Sequence, residues 1–326
     1  MRILKYPIFF VLILSHILSC RQLDTSSKEH QNTSQNYPIE LPSADTLIQE
    51  AILLIDSEHL EIPKYKQNEK VIYHSGYALV YNEYYEQADW IAYELTSFET
   101  KRIVSRSNKF CEDPNVSTQT ATITDYKNSG YDRGHLAPAA DMGWSLTAMN
   151  ESFYFSNISP QVQSFNRGIW KRLEELVRFW AQENASIYIA TGPILSRGLP
   201  TIGPNKVAVP KYFYKVILDY SKPDLKGIGF IIPNTGSNES LQNFAVSIDS
   251  VEQLTSLDFF PKLPDLQEKL IESKLCVSCW TWNKATYHSN SSNSNTVQCR
   301  AITKAGSRCK RMTRNANSQC TQHNKY

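Results

Sequence analysis

Between Asp132 and His135 the chain places a carboxylate, a guanidinium, a glycine and an imidazole at four consecutive positions, and Pro138 follows three residues later. Each residue type has a use at an anionic reaction centre. His135 titrates near neutral pH and is a candidate general base. Arg133 presents a rigid fork of donors that matches a phosphate. Gly134 lets the backbone bend and leaves room for a substrate to approach. Asp132 suits the orientation of a neighbouring basic group; the alternative is a structural turn residue. Pro138 disfavours helix at Ala137 and is expected to keep the next few residues extended. Taken alone, the tetrapeptide is also compatible with a surface turn.

A second constellation lies downstream. Asn157, Gln161 and Asn166 crowd a loop that leads into Ile169, Trp170, Leu173, Leu176, Val177 and Trp180, a stripe at helical spacing. Asn166 stands at the helix entrance, where an Asn cap is the alternative role. Glu174 follows eight residues later. Helical side chains lean toward the N-terminus, so a water can join Glu174 to the Asn166 end. Amide and carboxylate oxygens with water make a hard-oxygen set suited to Mg²⁺, which keeps most of its own water. Trp170, Leu173 and Trp180 read as core, Trp280 and Trp282 as packing residues at the end of the body, and Lys211 as a solvated strand lysine.

The elements that must position these groups are short. The runs 77–81, 186–190, 212–218 and 227–232 are β-branched and aromatic, and Gly, Pro or Asn bound them, so they read as strands. Strands and helices alternate irregularly, which predicts an α+β fold with a largely antiparallel sheet. The chain has 326 residues, 41% of them hydrophobic and 20% charged, enough for a sizeable core.

Motifs in chain order give a more specific reading. DRGHLAPAADM, FYFSNISPQVQSFNRGIWKRLE, IYIATGPIL, VPKYFYKVIL and GIGFIIPN resemble the DNA/RNA non-specific endonuclease family, endonuclease G-like enzymes with a ββα-metal active site. The resemblance covers roughly residues 77–261. It implies a central, mainly antiparallel sheet flanked by helices, and hydrolysis of DNA and RNA with little sequence preference. It implies His135 as general base, Asn166 as the single protein ligand of Mg²⁺ (or Mn²⁺), and Glu174 as the acid that holds metal-bound water. Arg133 matches the motif arginine near the phosphate. Arg106, in RSNKFCEDP, matches the arginine that stabilises the charged phosphorane. Asp132, Asn157 and Gln161 are supporting residues. Some relatives dimerise, so a homodimer is open.

The ends carry other signals. Arg2 and Lys5 precede an apolar run, Ile8 to Leu14, that is too short to span a bilayer. It ends at Ile17-Leu18-Ser19-Cys20, which looks like a bacterial lipobox with Cys20 as the lipidated residue; ordinary signal-peptidase cleavage is the alternative. Residues 1–19 are thus expected to be a lipoprotein signal peptide and 20–44 a polar tether. Residues 45–282 form the nuclease domain, 283–298 a linker, and 299–326 a basic Cys-rich module. These signals predict an exported protein, membrane-anchored in the periplasm or at the cell surface.

Of the 34 lysines and arginines, 8 lie at 283–326 with no acid among them, which leaves 26 against 32 acidic residues, a net of −6, for the rest. Such a basic tail favours a polyanion or an anionic membrane, or is only solvated. Cys299, Cys309, Cys320 and His323 suit a structural Zn²⁺. Disulfides compete with that reading, since six cysteines remain after Cys20, Cys276 and Cys279 among them. Two other functions stay open: a catalytically silent nucleic-acid-binding lipoprotein, and a tail that binds a protein partner or cell-wall polymer to position the enzyme.

Overall fold

In this computed structural model the described residues are 59–221 and 225–282, with the backbone of two short paired strands, Val297–Gln298 and Met312–Thr313. The chain divides into two units, Met1–Gln49 and Glu50–Tyr326. The signal, Cys20 and the tether lie outside the described residues, as do Cys299, Cys309, Cys320 and His323. Among the described residues no helix is long and apolar enough to cross a membrane.

The strands of the body, in chain order, are β1 (Val71–Tyr73), β2 (Ala78–Asn82), β3 (Gln87–Thr96), β4 (Asp132–His135), β5 (Ile158–Gln161), β6 (Ser186–Pro193), β7 (Thr201–Ile202), β8 (Val207–Ala208), β9 (Tyr212–Asp219), β10 (Lys226–Pro233) and β11 (Ala245–Val246). Seven of them form one sheet in the order β1-β2-β3-β6-β9-β10-β11, and every pairing in it is antiparallel. The four runs expected as strands are β2, β6, β9 and β10. The longest strand, β3, escaped the sequence reading. QADWIAYELT is buried on both faces for most of its length, so it shows no alternation of apolar and polar residues.

Both faces of the sheet are covered, as alternate side chains of β9 show. Phe213 and Ile217 join a core with Ile169, Trp170, Leu173, Val177 and Trp180, the helical stripe. Tyr214, Val216 and Leu218 join a second core with Ile248, Val251, Phe259, Phe260 and Ile271, from the helices Ile248–Thr255 and Asp265–Glu272. These helices lie close on β10: a Cβ at Gly227 would meet Ile248 at 2.6 Å and Ile271 at 2.8 Å, so any larger residue would push them off the sheet.

The segment after the last helix clasps the first core. Cys276 and Cys279 form a disulfide, and Trp280 and Trp282 follow it as packing residues. The Trp180 ring lies 4.3 Å from Trp280 and 5.4 Å from Trp282. Its Nε1 donates to the Thr281 carbonyl at 2.6 Å. Among the described residues Cys111 is a free, exposed thiol. Trp180 is fully buried. Trp180→Ala is therefore expected to lose ~3–5 kcal/mol of stability, read as a lowered urea midpoint with the m-value kept.

Candidate functional site

Strands β4 and β5 form a separate two-stranded ribbon, with Asp132 opposite Gln161, Arg133 opposite Pro160, Gly134 opposite Ser159 and His135 opposite Ile158. Buried polar groups fix this ribbon. Asn157 accepts from the Ala137 amide at 2.8 Å and donates to the carbonyls of Ala137 at 2.9 Å and Ser152 at 2.8 Å. It clamps the backbone just after His135, a supporting role carried out inside the core. Ser159 donates to Gln87 of β3 at 2.6 Å, which ties the ribbon to the main sheet.

Two local expectations are corrected here. The space over Gly134 is not open to a substrate. A Cβ there would lie 2.1 Å from the Gln161 side chain, which is fully buried, with Oε1 and Nε2 unpartnered among the described residues. Glycine is required by its own neighbour. Pro138 does not start an extended run: its carbonyl accepts from the Asp141 amide at 2.9 Å, closing a turn that aims Asp141 inward.

The His135 ring is nearly buried. It sits edge-on to Phe153, with centroids 4.8 Å apart, and 5.7 Å from Phe110. The same two aromatics carry guanidinium groups: Arg106 lies 4.9 Å over Phe153 and Arg133 lies 4.1 Å over Phe110. Burial foremost, then the positive charges of Arg106 and Arg133, push the His135 pKa down to about 3. The imidazole is therefore neutral at any ordinary pH, and its Nε2 is buried with no hydrogen-bond partner.

Asn166 is not a cap. It lies in a π-helical turn, Phe165–Trp170, broken by Gly168 at φ −108° and ψ −108°, before the α-helix Lys171–Glu183 begins. Its amide donates to Asp132 at 2.9 Å. Arg167 grips the same carboxylate with both arms, at 2.8 Å and 2.7 Å. Asp132 thus orients the neighbours supplied by the helix. With its amide nitrogen engaged, Asn166 keeps its carbonyl oxygen as a donor for a hard cation. Three residues of strand, ~10 Å at ~3.3 Å per residue, separate the anchor Asp132 from His135.

Behind this lies a buried charge cluster of which the sequence reading named only Glu174. Asp141 accepts from Tyr93 at 2.8 Å and from Arg178 at 2.6 Å. Glu174, partly buried on the helix, feels Arg178, Lys215, Asp141 and Arg106, but burial dominates and raises its carboxyl to about 7. Lys215 is fully buried on β9, 5.1 Å over the Trp170 ring, and burial lowers it to about 8. These residues come from four separate elements. Asp141, Glu174 and Lys215 each fall in a motif noted in the sequence, but only Glu174 was singled out for its chemistry, and the one available signal for the others was charge inside otherwise apolar runs. Lys211 is exposed, as expected.

At the surface, Arg106, Arg133, Asp132, Asn166, Lys127 and Arg167 line an open cavity of about 820 Å³. A wide cleft of cationic and amide groups, lined by the two arginines that flank His135, suits an anionic polymer.

Comparison with known proteins converges on the same region. The chain is 40% identical over 208 residues to Nuclease C1 of Cunninghamella echinulata var. echinulata, covering 58% of this chain and 81% of that one. It is 35% identical over 207 residues to mitochondrial endonuclease G of Bos taurus, covering 58% of this chain and 68% of that one. A chain in the crystal structure of an EndoG/EndoGI complex superposes with a TM-score of 0.59 at 32% identity, over 64% of this chain and 91% of that one. The family model for DNA/RNA non-specific endonucleases matches residues 56–266, and the chain belongs to that family.

Proposed function

We propose that the protein is a metal-dependent endonuclease that hydrolyses phosphodiester bonds in DNA and RNA without reading sequence. The observation that carries this is the neutral, unpartnered imidazole of His135 flanked by two arginines, on the same strand as the Asp132 that anchors Asn166. Mere nucleic-acid binding needs neither a buried base nor an oriented amide oxygen, which argues against the catalytically silent alternative.

Asn166 would hold Mg²⁺ or Mn²⁺, with Glu174 accepting from its hydration shell. The cation, when bound, neutralises charge on the phosphate and lowers the barrier to attack. Arg106 and Arg133 stabilise the negative charge that grows on the non-bridging oxygens. His135 takes a proton from the attacking water as the water oxygen bonds to phosphorus. The bond from phosphorus to the 3′ oxygen breaks, and that oxygen leaves with a proton from solvent. The arginine contacts are to phosphate and carry no base information, which accounts for low selectivity.

Arg178 and Lys215 oppose the protonation of Glu174, although burial outweighs them and leaves its carboxyl raised to about 7. The lipoprotein signal with Cys20 acylated, a zinc-bound tail at Cys299, Cys309, Cys320 and His323, and a homodimer remain part of this proposal on the sequence reading alone.

Three outcomes test it. His135→Ala is expected to cut plasmid and RNA digestion ~10²–10⁴-fold while leaving the fold intact, and EDTA is expected to abolish the parental activity. A variant that digests at the parental rate removes His135 from the mechanism. A lowered folded-state pKa keeps the ring neutral until pH falls to about 3, so imidazole NMR shifts of the free, metal-free protein should show no His135 titration near 6.5. Asp132→Ala should weaken Mg²⁺ binding ~10–100-fold through loss of the Asn166 anchor, measured by calorimetry.

A further inference from the structure

We propose that Asp249, Glu252 and Glu272 form a second divalent-cation site, of Ca²⁺ size, that staples together the two helices on the face of the sheet away from the ribbon. One carboxylate oxygen from each of the three lies within 4.8 Å of the others. That is the span of opposite corners of a coordination shell with ~2.4 Å bonds, the calcium distance.

Acidic surface groups are common, but Glu272 is not a surface group. It is 5% exposed, and its Oε1 is buried with no hydrogen-bond partner. It is the last residue of the helix Asp265–Glu272, where the helix dipole disfavours an anion. It faces Asp249, in the first turn of the helix Ile248–Thr255, and Glu252 one turn on. Burial, like charge and helix polarity therefore all act against this carboxylate, and a buried anion without a partner is strongly unfavourable. A cation bound by all three groups reverses each of these effects.

The surroundings fit a built site. Glu252 uses Oε1 to accept from the Phe259 amide at 2.8 Å, which fixes its side chain and leaves the other oxygen for a ligand. Asp258, whose charge also acts on Glu272, is itself paired with Lys64 at 2.8 Å. The two helices are held against β10 by Ile248, Val251 and Ile271, so the ligands come from a rigid frame. Two carboxylates remain partly open to solvent, giving the ion an entry path and room for water. This site shares no residue with the His135–Asn166 region.

The test uses the full, disulfide-intact chain and CaCl₂ as the only probe. Calorimetry on the Asn166→Ala protein, which silences the proposed catalytic site, is expected to show one Ca²⁺ bound per chain. Adding Glu272→Gln to it should abolish that binding, and Asp249→Asn should do the same if Glu272→Gln fails to fold. Excess Ca²⁺ should raise the melting temperature of the parent by about 5 °C, with no rise in Glu272→Gln, whose plasmid digestion should match the parent. Equal Ca²⁺ stoichiometry in parent and Glu272→Gln overturns the site. So does a Glu272→Gln protein that melts above the calcium-free parent while the parent ignores Ca²⁺, because Glu272 is then a protonated acid.

Discussion

One carboxylate, that of Asp132, joins the two halves of the site. It belongs to β4, three residues before His135, yet it accepts both arms of Arg167 and the amide of Asn166. Strand and helix entrance therefore share a single anchor. The Arg167 fork gives direction as well as attraction, since two parallel N–H···O bonds fix the carboxylate plane. Arg167 is exposed, so the ion pair alone adds little stability. What it does is geometric: it settles which way the Asp132 oxygens face, and so which way Asn166 turns.

The π turn is the other half of that arrangement. A regular helix from Phe165 onward would carry Asn166 on a surface set by the core stripe of Trp170, Leu173 and Val177. The break at Gly168 frees the first residues from that register. Asn166 can then face β4 while Trp170 and Phe165 stay stacked in the core, with ring centroids 5.3 Å apart. Packing and chemistry are separated by one local distortion.

Much of this was legible in the sequence. Asp132 to His135 are contiguous, and Asn166 and Glu174 are eight residues apart in one motif, so short-range spacing exposed them. The antiparallel α+β architecture followed from four well-bounded strands. What escaped was whatever depends on tertiary meeting. Tyr93, Asp141, Arg178 and Lys215 come together from four elements, and no spacing rule links them. Central strand β3 hid because burial on both faces erased its period. Gly134 was misjudged for a related reason: its constraint is the side chain of Gln161 on the partner strand, which sequence neighbours do not reveal. For Asn166 a cap stood as the alternative to the ligand role, because a polar residue before an apolar helical stripe is also the signal of a cap.

The buried charges divide into two kinds. Around Glu174, Arg178 and Lys215 face Asp141 and the glutamate itself, so each sign has an opposite within the cluster. Such a group costs desolvation but keeps its members in register, and the Tyr93 hydroxyl satisfies a further oxygen of Asp141. Around Glu272 the neighbours that shift its carboxyl, Glu252, Glu268, Asp249 and Asp258, are all of one sign. Balanced charge around Glu174 and charge of one sign around Glu272 leave two accounts of Glu272, a protonated acid or a ligand of a cation. The approach of three carboxylate oxygens to within 4.8 Å of one another favours the ion, because a lone protonated acid does not require two further carboxylates to gather beside it.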